Sequence, residues 1–173
     1  DNILIQNAPV VFVGYGAFAP ERQWDDFGDM DLTGKLAVFL VNDPDFAAES
    51  DEAVSGLFGS RRMTYYGRWT YKFEEAARRG AIGALVIHED AAAGYGWNVA
   101  SSSPGENYSI QRPAGSLKPP LVQGWLRGDA AAELFGSVGL DFQEQRRLAR
   151  SADFQAFTLE GVSLSASVAV ASE

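Results

Sequence analysis

Residues 64–89, TYYGRWTYKFEEAARRGAIGALVIHE, hold an aromatic cluster, a short helix, a glycine stop and a buried strand in one unbroken run. From Trp69 the apolar positions fall at Phe73, Ala76, Ala77 and Gly80, which lays one stripe along a helix. Glu74 with Arg78 and Glu75 with Arg79 are i,i+4 pairs with the acid first, the favourable order for a solvated outer face. Gly80 supplies the left-handed residue that ends a helix without steric cost. Ala81 to Ile87 is short and almost wholly apolar, the composition of a strand buried on both faces. A helix feeding straight into such a strand is a layered α/β element, and it needs a sheet to lie on.

Upstream, Asn2 to Gln6 is a short apolar lead, and Pro9 to Tyr15 predicts a buried strand stopped at Gly14 and Gly16. Gly14, Gly16 and Ala19 form a GxGxxA after that strand, the spacing of a dinucleotide-binding turn. The context opposes that reading, because Pro20, Trp24, Asp25, Asp26 and Gly28 follow where an apolar helix must begin. Asp31 to Lys35 predicts a turn, and Leu36 to Val41 a second buried strand ended by Asn42-Asp43-Pro44. Phe46 to Arg62 has no clear period and is read as an excursion with at most one short helix. Asp43, Asp45, Glu49, Asp51 and Glu52 lack the alternating ladder and central glycine of a calcium loop and are expected to be solvated acids.

Downstream, Ala91 to Pro120 carries so many Gly, Ser and Pro residues that it predicts one long loop, anchored by Tyr95, Trp97 and Tyr108. Leu121 to Leu126 reads as a strand, Asp129 as the cap of a short helix ending at Gly139, and Asp141 with Glu144 as a capping box opening a helix through Arg150. Val162, Leu164, Ala166, Val168 and Val170 alternate with small polar residues, so one face of this last strand is dry and the other wet. Half-buried strands pair antiparallel more often than parallel, so the expected fold is α/β (α+β), mixing layered elements with a β-barrel-like or sandwich part.

At 173 residues the chain fits a single domain, residues 1–173, with 46% hydrophobic residues and no apolar run near the roughly 20 residues of a membrane helix. Fourteen basic against 23 acidic residues give a net charge of −9, which repels phosphate backbones, so neither nucleic acid nor membrane is an expected partner. The absence of cysteine removes disulfides, thiolate metal sites and a cysteine nucleophile together. The chain opens on Asp1 with neither an initiator methionine nor a signal peptide, so it is expected to be a piece of a longer polypeptide.

Catalytic chemistry is hard to build from these residues. A zinc hydrolase site uses three or more protein ligands, usually with several histidines, and His88 is the one histidine. No GxSxG exists for a serine nucleophile, and no two of the many acids stand out as a glycosidase pair. His88 with Glu89 and Asp90 at a strand end is a candidate general acid/base cluster, against the simpler reading of a histidine that hydrogen-bonds the chain leaving the strand. The catalytic alternative requires a pocket converging on His88. The expected sets are therefore no catalytic residue, no metal ligand and no cofactor in this chain. Tyr65, Tyr66, Arg68, Trp69 and Tyr71 instead combine the residue types that carry interface energy, with Tyr95 and Trp97 as a second candidate patch. Trp69 is expected to pack beneath the helix, leaving Tyr65, Tyr66 and Arg68 on the surface.

The order VFVGYG (Val11 to Gly16), DLTGKLAVFLVNDP (Asp31 to Pro44) and TYYGRWTYKFEEAARRGAIGALVIHE (Thr64 to Glu89) resembles the protease-associated domain inserted in zinc aminopeptidases of the M28 family. The similarity spans nearly the whole chain, and Gly94-Tyr95-Gly96-Trp97 and Gly124-Trp125-Leu126 add to the likeness to bacterial members. The resemblance implies a β-barrel or sandwich core with flanking helices, lying over the mouth of a peptidase domain. It implies a non-catalytic module that shapes substrate access or binds peptide or protein, in a secreted or periplasmic enzyme. Zinc would belong to the catalytic domain of the same polypeptide, since this chain has no match to the family's metal ligands. The alternatives are a stand-alone partner-binding module and a hydrolase using His88.

Overall fold

The apolar runs that read as buried strands pair with one another in a single sheet. The computed structural model describes residues 2–102 and 112–169. In chain order the elements are β1 (Asn2–Phe12), β2 (Phe18–Ala19), β3 (Trp24–Asp25), β4 (Leu36–Leu40), α1 (Trp69–Arg78) and β5 (Gly83–His88). The second half adds α2 (Asp90–Ala93), α3 (Trp97–Ser101), β6 (Val122–Arg127), α4 (Gly128–Ser137), α5 (Phe142–Leu148) and β7 (Phe157–Ala169). The sheet order is β6-β5-β4-β1-β7, with the first four strands parallel and β7 antiparallel to β1. The fold is mixed α/β, with α1 on one face of the sheet and α4 and α5 on the other. Among the described residues no helix is long and apolar enough to cross a membrane.

Strict alternation along the strands divides the core in two. Val10, Phe12, Val38, Leu40 and Ile87 turn toward Phe135 of α4 and Phe142 of α5. Val11, Ala37, Phe39, Ala84 and Val86 turn toward Ala76 of α1. The barrel-like or sandwich part expected from the last strand takes the form of a curl in this one sheet. Only Val10 to Phe12 of β1 pair with β4, so most of that long strand is left to β7, which runs back along it from Phe157 to Ala169.

Several expectations are corrected. Asn2 to Gln6 and the run from Pro9 are one strand, continuous across an irregularity where Asn7 takes φ 51° and its N–H donates to Ser165 Oγ. That strand ends at Phe12 rather than Tyr15. Gly14 and Gly16 take positive φ, and a Cβ at Gly16 would stand 2.3 Å from the Phe39 ring. The GxG pair thus has a packing cause, and a three-residue 3-10 turn, Pro20–Arg22, follows it. Asp43 and Asp45 are buried, contrary to a solvated reading. Asp43 accepts from the N–H and hydroxyl of Thr64, and Asp45 from the N–H groups of Phe58, Gly59 and Ser60, so the two carboxylates hold the excursion together. Glu52 accepts from Nε and Nη2 of Arg150.

The predicted loop from Ala91 contains two short helices, because Gly94 at φ 83° and Gly96 delimit turns instead of preventing them. Asp129 lies inside α4 rather than at its cap, whereas Asp141 Oδ1 does accept from Glu144 N at 2.7 Å and opens α5, which stops at Leu148. Tyr108, the breakers Ser103 to Gly105, and Val170 lie outside the described residues.

Helix α1 is rotated from its predicted setting. Its buried residues are Tyr71, Lys72, Glu75 and Ala76, while Trp69, expected beneath the helix, is 45% exposed. Two polar partners make that rotation possible. Glu75 is clamped by Arg78 and Arg79, each at 2.7 Å, whereas the Glu74–Arg78 pair is stretched to 3.9 Å. Lys72, 0% exposed, donates to the carbonyls of Tyr15 and Asn42, which the chain turns inward just past β1 and β4. Burial lowers its pKa to about 8, against the attraction of Asp43 and Asp26.

Candidate functional site

In parallel sheets the carboxyl ends of the strands, together with the amino ends of the following helices, form the natural site for ligands. Here β4 leads into Val41, β5 ends at His88, and β6 places Trp125 opposite Val86, all on the face that carries α1. The first residues of α1 close over this corner, and the chain after α2 returns Tyr95 to it. The result is a cavity of about 320 Å³ lined by Val41, Arg68, Trp69, Thr70, Tyr95 and Trp125, with Met63 and Ala93 at its margin. A second cavity of about 360 Å³ adjoins it across Trp69 and follows α1 past Phe73 to Arg112 and Leu117. Trp69 and Trp125 approach with ring centroids 6.5 Å apart.

The candidate residues separate into two groups. Tyr65, Tyr66 and Tyr71 form a three-ring cluster with centroids 5.1–6.2 Å apart, on the side of α1 toward β2. Their hydroxyls are engaged: Tyr65 donates to Glu74, Tyr66 donates to Glu21, and Tyr71 accepts from Phe18 N. Tyr71, one of the interface candidates, is 2% exposed and packs into the scaffold. Arg68, Trp69 and Tyr95 meet in the cleft, and Trp97 lies behind its wall. Trp125, Thr70 and Met63 complete it and were missed as site residues. The signal for Trp125 was a tryptophan within a strand run, whose alternation puts Gln123 and Trp125 on one face.

His88 is 3% exposed and enclosed by the rings of Tyr95, Trp97 and Trp125, at 5.3, 5.5 and 5.4 Å. Its Nδ1 stands 3.4 Å from Asp90 Oδ1, and its Nε2 is buried without a hydrogen-bond partner among the described residues. Glu89 points elsewhere and pairs with Arg146 of α5, because successive residues leaving a strand diverge. The predicted cluster of His88, Glu89 and Asp90 is therefore split, and Tyr95 and Trp125 separate the imidazole from the cleft. One enclosed imidazole facing one carboxylate does not fit a zinc centre, and among the described residues no group of three or more His, Asp or Glu side chains is placed to hold a metal.

The cleft's electrostatics are set by its amino-end wall. Among the described residues no side chain caps the first turn of α1, and no acid lies within that turn. Arg68, at the N-cap, is exposed and makes no ion pair among the described residues. No family model, curated protein or solved structure matches this chain.

Proposed function

We propose that this chain is a protease-associated domain: a non-catalytic accessory module of a zinc-dependent aminopeptidase of the M28 type, in a secreted or periplasmic enzyme. The observation that carries the reading is a contrast within one corner of the sheet. The imidazole is sealed by three rings, while a guanidinium without an ion pair among the described residues and a half-exposed tryptophan stand open beside it. A surface of that kind serves contact with peptide or with another domain. The resemblance of Val11 to Gly16, Asp31 to Pro44 and Thr64 to Glu89 to such domains supports the same reading. In it, the catalytic domain of the same polypeptide supplies zinc and every reacting group, and this domain governs how peptide reaches them.

The test is kinetic, in the full polypeptide. Arg68→Ala combined with Trp69→Ala is expected to raise peptide KM several-fold and to leave kcat within about twofold, the signature of lost binding that is equal in ground and transition states. Zinc-dependent peptide hydrolysis by residues 1–173 alone overturns the proposal, as does a flanking reading frame that encodes no metal-ligand set.

A further inference from the structure

The cleft's chemistry is specific enough to name a ligand. An uncapped helix amino end and a guanidinium at the N-cap together attract an anion, and a carboxylate fits the fork of arginine best. Apart from the hydroxyls of Thr70 and Tyr95, the remaining walls are apolar: the rings of Trp69, Tyr95 and Trp125 with Val41, Met63 and Ala93. Aromatic walls also suit cations, but Arg68 repels one here. The volume of about 320 Å³ lies at the small end of ligand pockets, which run from about 300 to 1,000 Å³, and accepts one large side chain rather than a folded surface.

Two further observations extend the site. His88 Nε2 is a buried polar atom with no hydrogen-bond partner among the described residues, and its ring packs on Tyr95 and Trp125, two of the cleft's walls. Those two rings stand between the imidazole and the cleft, so His88 senses what the walls meet without itself lining the site. The second cavity continues the cleft past Trp69 along α1, giving room for chain that precedes the anchored residue. The chain's net charge of −9 repels acidic ligands at a distance, so the body of the ligand is neutral or basic and its anion is confined to one end.

We infer that the cleft binds the free carboxyl end of a peptide whose last residue is large and apolar. The carboxylate sits at Arg68 and the amino end of α1, the last side chain lies among Trp69, Tyr95 and Trp125, and the preceding residues run past Trp69 toward Phe73. This stands apart from the peptidase reading, since it concerns the opposite end of a peptide from the one an aminopeptidase cleaves.

Calorimetric titration of this chain with acetyl-Ala-Ala-Phe, with its carboxyl-terminal amide and with N-acetylphenylalanine tests it. The acid is expected to bind saturably, the amide at least about tenfold more weakly, and Arg68→Gln to lose the acid by a similar factor with unchanged circular dichroism. Nuclear magnetic resonance reads the location: the indole signals of Trp69 and Trp125 and the ring nitrogens of the single histidine shift on binding. Equal binding of acid and amide, no saturable binding of the acid at millimolar concentration, or binding that leaves those signals in place overturns the inference. N-acetylphenylalanine binding as tightly as the tripeptide overturns the part assigned to the second cavity. The peptidase reading is judged separately, by KM in the full polypeptide.

Discussion

Lys72 and Arg68 stand one helical turn apart on α1 and have opposite surroundings. Lys72 is wholly buried and donates to two backbone carbonyls near two acids, while Arg68 is exposed and unpaired among the described residues. The same kind of charge is thus a fastening in one place and an open contact point in the other. What separates them is which chain segments arrive. The turns after β1 and β4 bring carbonyl oxygens to Lys72, whereas apolar rings from β6 and the α2–α3 turn arrive beside Arg68. The pattern teaches that in this fold a cation's role is set at the carboxyl ends of the strands rather than along the helix.

The largest expected effect breaks the buried side of that contrast. Lys72→Met leaves two carbonyls and the acids Asp26 and Asp43 uncompensated, and is expected to cost about 3–5 kcal/mol in urea unfolding. A smaller loss, about 1–3 kcal/mol, is expected from Asp45→Ala, which frees the N–H groups of Phe58, Gly59 and Ser60. Faster proteolytic cleavage between residues 57 and 64 checks that the loss is local.

The pH dependence sharpens the contrast further. Burial raises Asp26 from 3.8 to about 7, although Ala17 N–H and the Trp24 indole donate to it. Between those values the folded chain holds a proton that the unfolded chain has released, so this group's contribution to stability falls as pH rises from about 4 to about 7. Relative to Asp26→Asn, the wild-type chain is expected to lose up to about 1.4 kcal/mol per pH unit in that window. Lys72, lowered to about 8, works the other way: the unfolded chain holds the extra proton above that pH, so stability gains as pH climbs from about 8 to 10.5. Chemical unfolding at stepped pH reads both slopes. The smallest effect belongs to the open side, where Arg68→Gln is expected to change stability by less than about 0.5 kcal/mol.

Much of the scaffold was legible in residues 64–89 and in the apolar runs at Leu36 and Val162, because burial on two faces or one leaves a direct trace in composition. The rotation of α1 was not legible. Its apolar stripe from Trp69 through Phe73, Ala76, Ala77 and Gly80 predicted one inward face; Ala76 is buried as expected, but Lys72 and Glu75 turn in as well because backbone carbonyls far along the chain and the next turn's arginines satisfy them. Asp43 and Asp45 misled for the same reason: an acid in an acidic segment reads as solvated until the N–H groups it accepts are known. Of the candidate cleft, Arg68, Trp69 and Tyr95 were named in advance, while Trp125 was not, since nothing local marks which strand will lie beside which.

By itself the sequence determined the alternation of helix and buried strand, the capped start of α5, the half-buried last strand, and the lack of cysteine and scarcity of histidine that limit the chemistry available. These are properties of single segments, fixed by periodicity and by which atoms are present. Tertiary structure alone decided that His88 is sealed by rings, that Lys72 is a fastening, and that Arg68 and Trp69 share a cleft with Tyr95 and Trp125. Those outcomes depend on desolvation and pairing between residues as far apart as Trp69 and Trp125, and neither is settled until the sheet has ordered its strands.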